Sequence, residues 1–72
     1  MGREIQSPVT GTVWKIEVTA GGQADAGDDL IIVESMKMEI PVVADSDCSV
    51  EEIRVSEGDA VTEGQVLLIV KP

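Results

Sequence analysis

Residues 13–34, V-W-K-I-E-V-T-A-G-G-Q-A-D-A-G-D-D-L-I-I-V-E, return 37 positions later as residues 50–71, V-E-E-I-R-V-S-E-G-D-A-V-T-E-G-Q-V-L-L-I-V-K. Val13/Val50, Ile16/Ile53, Val18/Val55, Gly21/Gly58, Gly27/Gly64, Leu30/Leu67, Ile32/Ile69 and Val33/Val70 are identical, 8 of the 22 pairs. Thr19/Ser56 and Ile31/Leu68 keep their character. Two matched halves in 72 residues point to one domain with a pseudo-two-fold axis, with pseudo-repeats over about 5–34 and 42–71. A solenoid is not implied, since stacked repeats need about three or more copies. The stretch 34–39, E-S-M-K-M-E, joins the halves and belongs to neither repeat.

The periodicity within each half is that of strands. In 12–18, Val13, Ile16 and Val18 are apolar around Lys15 and Glu17, while 30–33, 40–44 and 66–70 are short apolar runs rich in β-branched residues. Such runs, bounded by turn residues, suit strands better than helices. Strands are expected near 4–7, 12–18, 29–34, 38–43, 48–55 and 66–71. Gly21 and Gly27 match Gly58 and Gly64 in spacing, so they read as equivalent turns, and the Ser7-Pro8…Gly11 segment opens the first half as another turn. Short strands separated by glycine turns predict an all-β barrel or sandwich.

The joining stretch carries a conflict. Glu34–Glu39 has helical propensity, yet it lies between β-type runs and Pro41 follows at once. Proline cannot donate to a sheet ladder, which places it on an edge strand or at a bulge. The segment therefore reads as a β-hairpin with Lys37 at or beside its tip. That tip lacks the Asn-Gly or Asp-Gly pair favoured in tight hairpins. It also leaves Met36 and Met38 in water. Local rules broken at one place are expected at a functional site.

Composition excludes several classes. A net charge of −9, from 14 acidic and 5 basic residues, argues against nucleic acid and against anionic membrane surfaces as partners. No stretch is long or apolar enough to span a membrane, and no basic-then-apolar signal segment is present. With no His and the single Cys48, zinc and copper sites lack their usual ligands, and Ser-His or Cys-His nucleophile systems are ruled out within the chain. The lone Cys48 excludes an internal disulfide, which fits a reducing, cytoplasmic setting. Asp25, Asp28 and Asp29 do not follow the EF-hand spacing and read as a solvated turn. Trp14, the one aromatic residue, reads as core or strand-face packing, and Lys15 and Lys71 as surface residues within the repeated strands.

Glu34-Ser35-Met36-Lys37-Met38-Glu39 closely resembles the biotinylation motif of biotin carboxyl carrier proteins and of the biotinyl domains of carboxylases. Ser35 stands where alanine is most frequent, and in this the chain is also similar to single-domain biotin/lipoyl attachment proteins. Ile40-Pro41-Val42, Ala44-Asp45 and the Gly58-Asp59-Ala60-Val61…Gly64…Leu67 pattern fit the same family, so the resemblance covers nearly the whole chain. It implies a flattened barrel of two antiparallel sheets, similar to the biotinyl/lipoyl hammerhead, with a modified Lys37 on an exposed hairpin. Two positions depart from the family pattern. Cys48 replaces a glycine, the counterpart of Gly11, which suggests a different turn or modest strain. Gly22 replaces the aspartate that Asp59 supplies in the second half.

The resemblance also implies a function. A biotin protein ligase would join biotin to the Lys37 amine, and the tethered biotin would carry carboxylate between a biotin carboxylase and a carboxyltransferase. The domain would be a non-catalytic carrier, with no catalytic or metal-binding residues of its own. Glu34, Ser35, Met36, Met38 and Glu39 would serve ligase and partner recognition, the methionines being adaptable contact residues. A free lysine amine is mostly protonated at neutral pH and the chain offers no base beside Lys37, so activation falls to the ligase. Lipoyl domains typically carry Asp-Lys-Ala at this place, so the Met-Lys-Met tip favours biotin. A lipoyl carrier, a dual acceptor, or an unmodified interaction module are the alternatives.

Overall fold

The computed structural model describes residues 2–72. Eight strands follow one another: β1 (Arg3–Gln6), β2 (Gly11–Ile16), β3 (Gln23–Ala24), β4 (Asp29–Ser35), β5 (Met38–Val43), β6 (Cys48–Ile53), β7 (Ala60–Val61) and β8 (Val66–Lys71). They form two antiparallel four-stranded sheets, ordered β1-β8-β6-β3 and β5-β4-β2-β7. The all-β, two-sheet expectation holds. Six strands stand where the sequence places them, although β2 and β6 end at Ile16 and Ile53 rather than at 18 and 55. The two-residue strands β3 and β7 were not expected. Each lies inside a glycine-bounded turn, too short to show a hydrophobic period.

The register repeats between the halves. Val13 pairs with Val33 and Val50 with Val70; Ile16 pairs with Ile31 and Ile53 with Leu68. A bulge falls between Val13 and Lys15, and its counterpart between Val50 and Glu52. The match reaches back to the first strand, since Glu4 pairs with Ile69 as Pro41 pairs with Ile32. Pro41 lies on β5, an edge strand, the place where a sheet tolerates proline.

One core serves both sheets. Val13, Leu30, Ile31, Val33, Leu67 and Leu68 are fully buried, with Val50 and Val70 nearly so. The halves are also joined through backbone. Gly21 N–H donates to Val50 O and Gly58 N–H to Val13 O, both at 2.8 Å. Gly27 N–H donates to Ala44 O at 2.7 Å and Gly64 N–H to Ser7 O at 2.8 Å. Each half thus anchors the turn glycines of the other.

The two sequence departures resolve differently. Cys48 begins β6, buried and paired with Ala24, and its φ is not positive. The expected turn change or strain is absent because its counterpart Gly11 is required for close packing and not for φ. A Cβ on Gly11 would stand 2.2 Å from Glu34 O, on a strand that runs on into the hairpin. Cys48 instead lines a cavity at the end of β8 together with Arg3, Ser46, Val70 and Pro72. At the other departure, Asp59 Oδ2 accepts a hydrogen bond from Ser56 N–H at 2.9 Å. Gly22 has no carboxylate to do the same for Thr19.

Gly27 and Gly64 hold φ at +89° with open space where a Cβ would stand, so their replacement carries a conformational cost and no clash. Gly27→Ala and Gly64→Ala are each expected to lower unfolding free energy by ~1–2 kcal/mol. Urea denaturation checks this, and unchanged midpoints would contradict the turn assignment.

Candidate functional site

The site is built by the β4–β5 hairpin. Six residue pairs hold these strands in register, ending at Glu34↔Glu39 and Ser35↔Met38. Only Met36 and Lys37 remain to make the turn, with φ of 52° and 67°. A two-residue hairpin loop with positive φ at both central positions is a type I′ turn, whose twist matches that of the strands but which favours Asn-Gly. Among the described residues, Met36 and Lys37 are the non-glycine residues in this conformation. Each costs about 1–2 kcal/mol relative to ordinary backbone. Such strain persists only where the surroundings hold the turn in place.

Two contacts supply that support. Ser35 Oγ donates to Thr10 O at 2.9 Å, tying the base of the hairpin to the loop before β2. Thr10 Oγ1 in turn accepts from Glu63 N–H at 3.0 Å, which reaches the last turn of the second half. Gly11 lets the start of β2 pass against the backbone of Glu34. The sequence reading placed Ser35 in the motif but did not anticipate its bond to Thr10, nor the role of Gly11. Neither leaves a sequence signal beyond a small residue type, since both partners are distant along the chain.

The tip itself is solvated. Met36 is 93% exposed and Met38 65% exposed, the reverse of ordinary methionine placement. Lys37 is exposed and forms no ion pair among the described residues. Glu34 and Glu39 face each other directly across the strands below it, both exposed, a like-charge pair that disfavours the hairpin slightly. All six residues marked out by the motif are therefore brought together. Elsewhere, Asp28 Oδ2 accepts from Asp25 N–H at 2.9 Å, a turn-closing role. Trp14 lies on the strand face at 49% exposure, not in the core, because it follows buried Val13 and successive strand residues point to opposite faces.

The small β domain thus spends backbone strain to hold Lys37 in water, with no ion pair among the described residues. Comparisons with known proteins show its family. A family profile described as "Biotin-requiring enzyme" matches residues 1–70, and the chain belongs to that biotin/lipoyl attachment family. It is 52% identical over 60 residues to a biotin/lipoyl attachment protein of Bacillus subtilis, covering 83% of this chain and 82% of that protein. It is 34% identical over 70 residues to a biotinylated protein TB7.3 homolog of Mycobacterium leprae, covering 97% of this chain and 99% of that one. Its fold matches part of a single-chain, multi-domain long-chain acyl-CoA carboxylase with a TM-score of 0.93 and 26% identity, over 97% of this chain and 7% of the carboxylase. The chain is thus a biotin-requiring domain of the kind found in carboxylases. The site fits such a group, since an exposed primary amine on a fixed hairpin is what a covalent amide link requires.

Replacing Met36-Lys37 by Asn-Gly removes the strain, and this double variant is expected to raise unfolding free energy by ~1–2 kcal/mol in urea. Gly11→Ala is expected to lower it by ~1–3 kcal/mol, because the 2.2 Å approach to Glu34 O must open. A Gly11→Ala melting curve coincident with the parent protein would contradict the close-packing role.

Proposed function

We infer that Lys37 is the point of biotin attachment and that the chain serves as a carboxyl carrier. The observation that carries this is the strained turn that holds an unpaired Lys37 between two solvated methionines, in a chain of the biotin-requiring family. In the attachment step, Lys37 Nζ attacks the carbonyl of a biotinyl adenylate that the ligase forms from biotin and ATP. The amide C–N bond forms, the C–O bond to AMP breaks, AMP leaves, and the amine proton passes to a base supplied by the ligase. When bound, biotin supplies a ring that takes up and releases carboxylate.

The domain's own residues hold and present. Ser35 and Gly11 fix the hairpin base, Met36 and Met38 offer adaptable apolar contact, and Glu34 and Glu39 offer charge. The partners are a biotin protein ligase, a biotin carboxylase and a carboxyltransferase. Tethering on a common assembly raises the effective concentration of the carried group to roughly millimolar. The chain lowers no barrier itself. Attachment depends on ATP and a ligase, which suits the cytoplasm. The name of the Bacillus subtilis relative, a biotin/lipoyl attachment protein, gives a second reading in which Lys37 also accepts lipoate.

Intact mass after incubation with a biotin protein ligase, biotin and ATP is expected to show one biotinyl adduct, and none for Lys37→Arg at unchanged melting temperature. A parallel reaction with lipoate and a lipoate ligase tests the second reading. Full labelling of the Lys37→Arg variant would contradict the site, and lipoyl addition alone would contradict the carboxyl-carrier role.

A further inference from the structure

The pseudo-two-fold axis supplies an internal control. The outer faces of the two sheets share backbone, register and bulge, so residues at equivalent positions meet equivalent environments. Ile32 and Ile69 occupy the centre of each face and are identical. Around Ile69 stand Glu51, Glu4 and Gln6; a Cβ added at Gly2 would meet both Ile69 and the Glu51 carboxylate, which sets Glu51 on this surface. Around Ile32 the same three positions are Trp14, Pro41 and Val43, with Lys15 directly opposite Ile32 in register where Glu52 stands opposite Ile69. Trp14 is 49% and Val43 46% exposed, and Pro41 is exposed as well. The backbone therefore does not require apolar residues here. The sheet that carries Lys37 has an outer face with four apolar residues around one lysine, Lys15, while its twin carries carboxylates and an amide at the matching positions.

This face is continuous with the hairpin, because Pro41 and Val43 lie on β5 and Ile32 on β4. Exposed carboxylates of Glu34, Glu39 and Asp29 border it. A specific interface takes roughly 800 Å² from each partner, about a fifth of this chain's 4356 Å². A tip of three residues cannot supply that, so an enzyme seated on the hairpin must also cover a neighbouring face. A half-exposed tryptophan flanked by aliphatic residues is the composition that anchors such contacts.

Building on the attachment reading above, we propose that the outer face formed by Trp14, Ile32, Pro41 and Val43 is the docking surface for the enzyme that acylates Lys37. That enzyme presents a shallow apolar groove with a basic rim. The ligase is the occupant for a geometric reason. During acylation Lys37 Nζ itself must reach bonding distance of the activated carbonyl, which brings the hairpin base against the ligase. Once the arm is attached, its length separates the barrel from later active sites. A second copy of this chain is disfavoured by the net charge of −9 and the acidic rim.

The test exchanges one face for the other. Trp14→Glu/Pro41→Glu/Val43→Gln places on this sheet the residues its twin already carries. With biotin protein ligase, biotin and ATP, the KM for the protein is expected to rise at least about tenfold at nearly unchanged kcat. The conservative pair Glu4→Gln/Glu51→Gln on the other sheet is expected to leave KM within about twofold. Should the triple variant not fold by circular dichroism, Trp14→Glu alone, at a half-exposed position, is expected to raise KM about fivefold. Unchanged KM in folded variants, with the parent protein biotinylated, overturns the docking face and leaves the attachment reading standing. An unmodified parent protein overturns both. Normal biotinylation with loss of carboxylase turnover would assign the face to a carboxylase, and a parent dimer dispersed by the triple variant would assign it to a second copy; either overturns the proposal.

Discussion

The turn glycines of each half of this molecule donate their amides to the other half. The amides of Gly21 and Gly27 find their acceptors on Val50 and Ala44 of the second half, and those of Gly58 and Gly64 on Val13 and Ser7 of the first. Buried side chains from both halves then fill one core. A 72-residue chain buries only roughly 60% of its unfolded surface and is stable by a narrow margin, so the exchange matters energetically. It makes the halves cooperative, and it fixes β2 and β4, the strands on which the hairpin rests.

The hairpin draws on that support. Two non-glycine residues in the left-handed region, a pair of facing glutamates and two solvated methionines each work against folding at this one place. The rest of the barrel is locally consistent, with buried apolar residues on strands and glycine at the positive-φ turns. Under the attachment reading, this concentration of unfavourable terms around Lys37 is the cost of presenting the lysine. The difference between the two outer faces extends the same logic, since a symmetric scaffold carries an asymmetric surface on the side of the lysine.

Much of this was legible in the sequence. The 37-residue offset announced the pseudo-symmetry, the β-branched runs located six strands, and Pro41 after Met-Lys-Met separated a hairpin from a helix. What stayed hidden depends on partners distant along the chain. Gly11 and Cys48 occupy equivalent positions, yet only Gly11 meets a strand that cannot yield, and residue type alone does not reveal this. β3 and β7 exist because the other half offers them an edge, at Ser49 and Cys48 for β3 and at Gly11 and Thr12 for β7. The bulge between Val13 and Lys15, which breaks the alternation along β2, is encoded by no hydrophobic period.

The account turns on Lys37 being the residue that carries biotin in the cell. Peptide mapping by tandem mass spectrometry of the protein isolated from its own host tests this most directly. The account predicts one biotinyl group on the peptide containing Lys37, with Lys15 and Lys71 unmodified. Biotin on another lysine, or Lys37 found bare while the host's other biotin proteins are labelled, would contradict it.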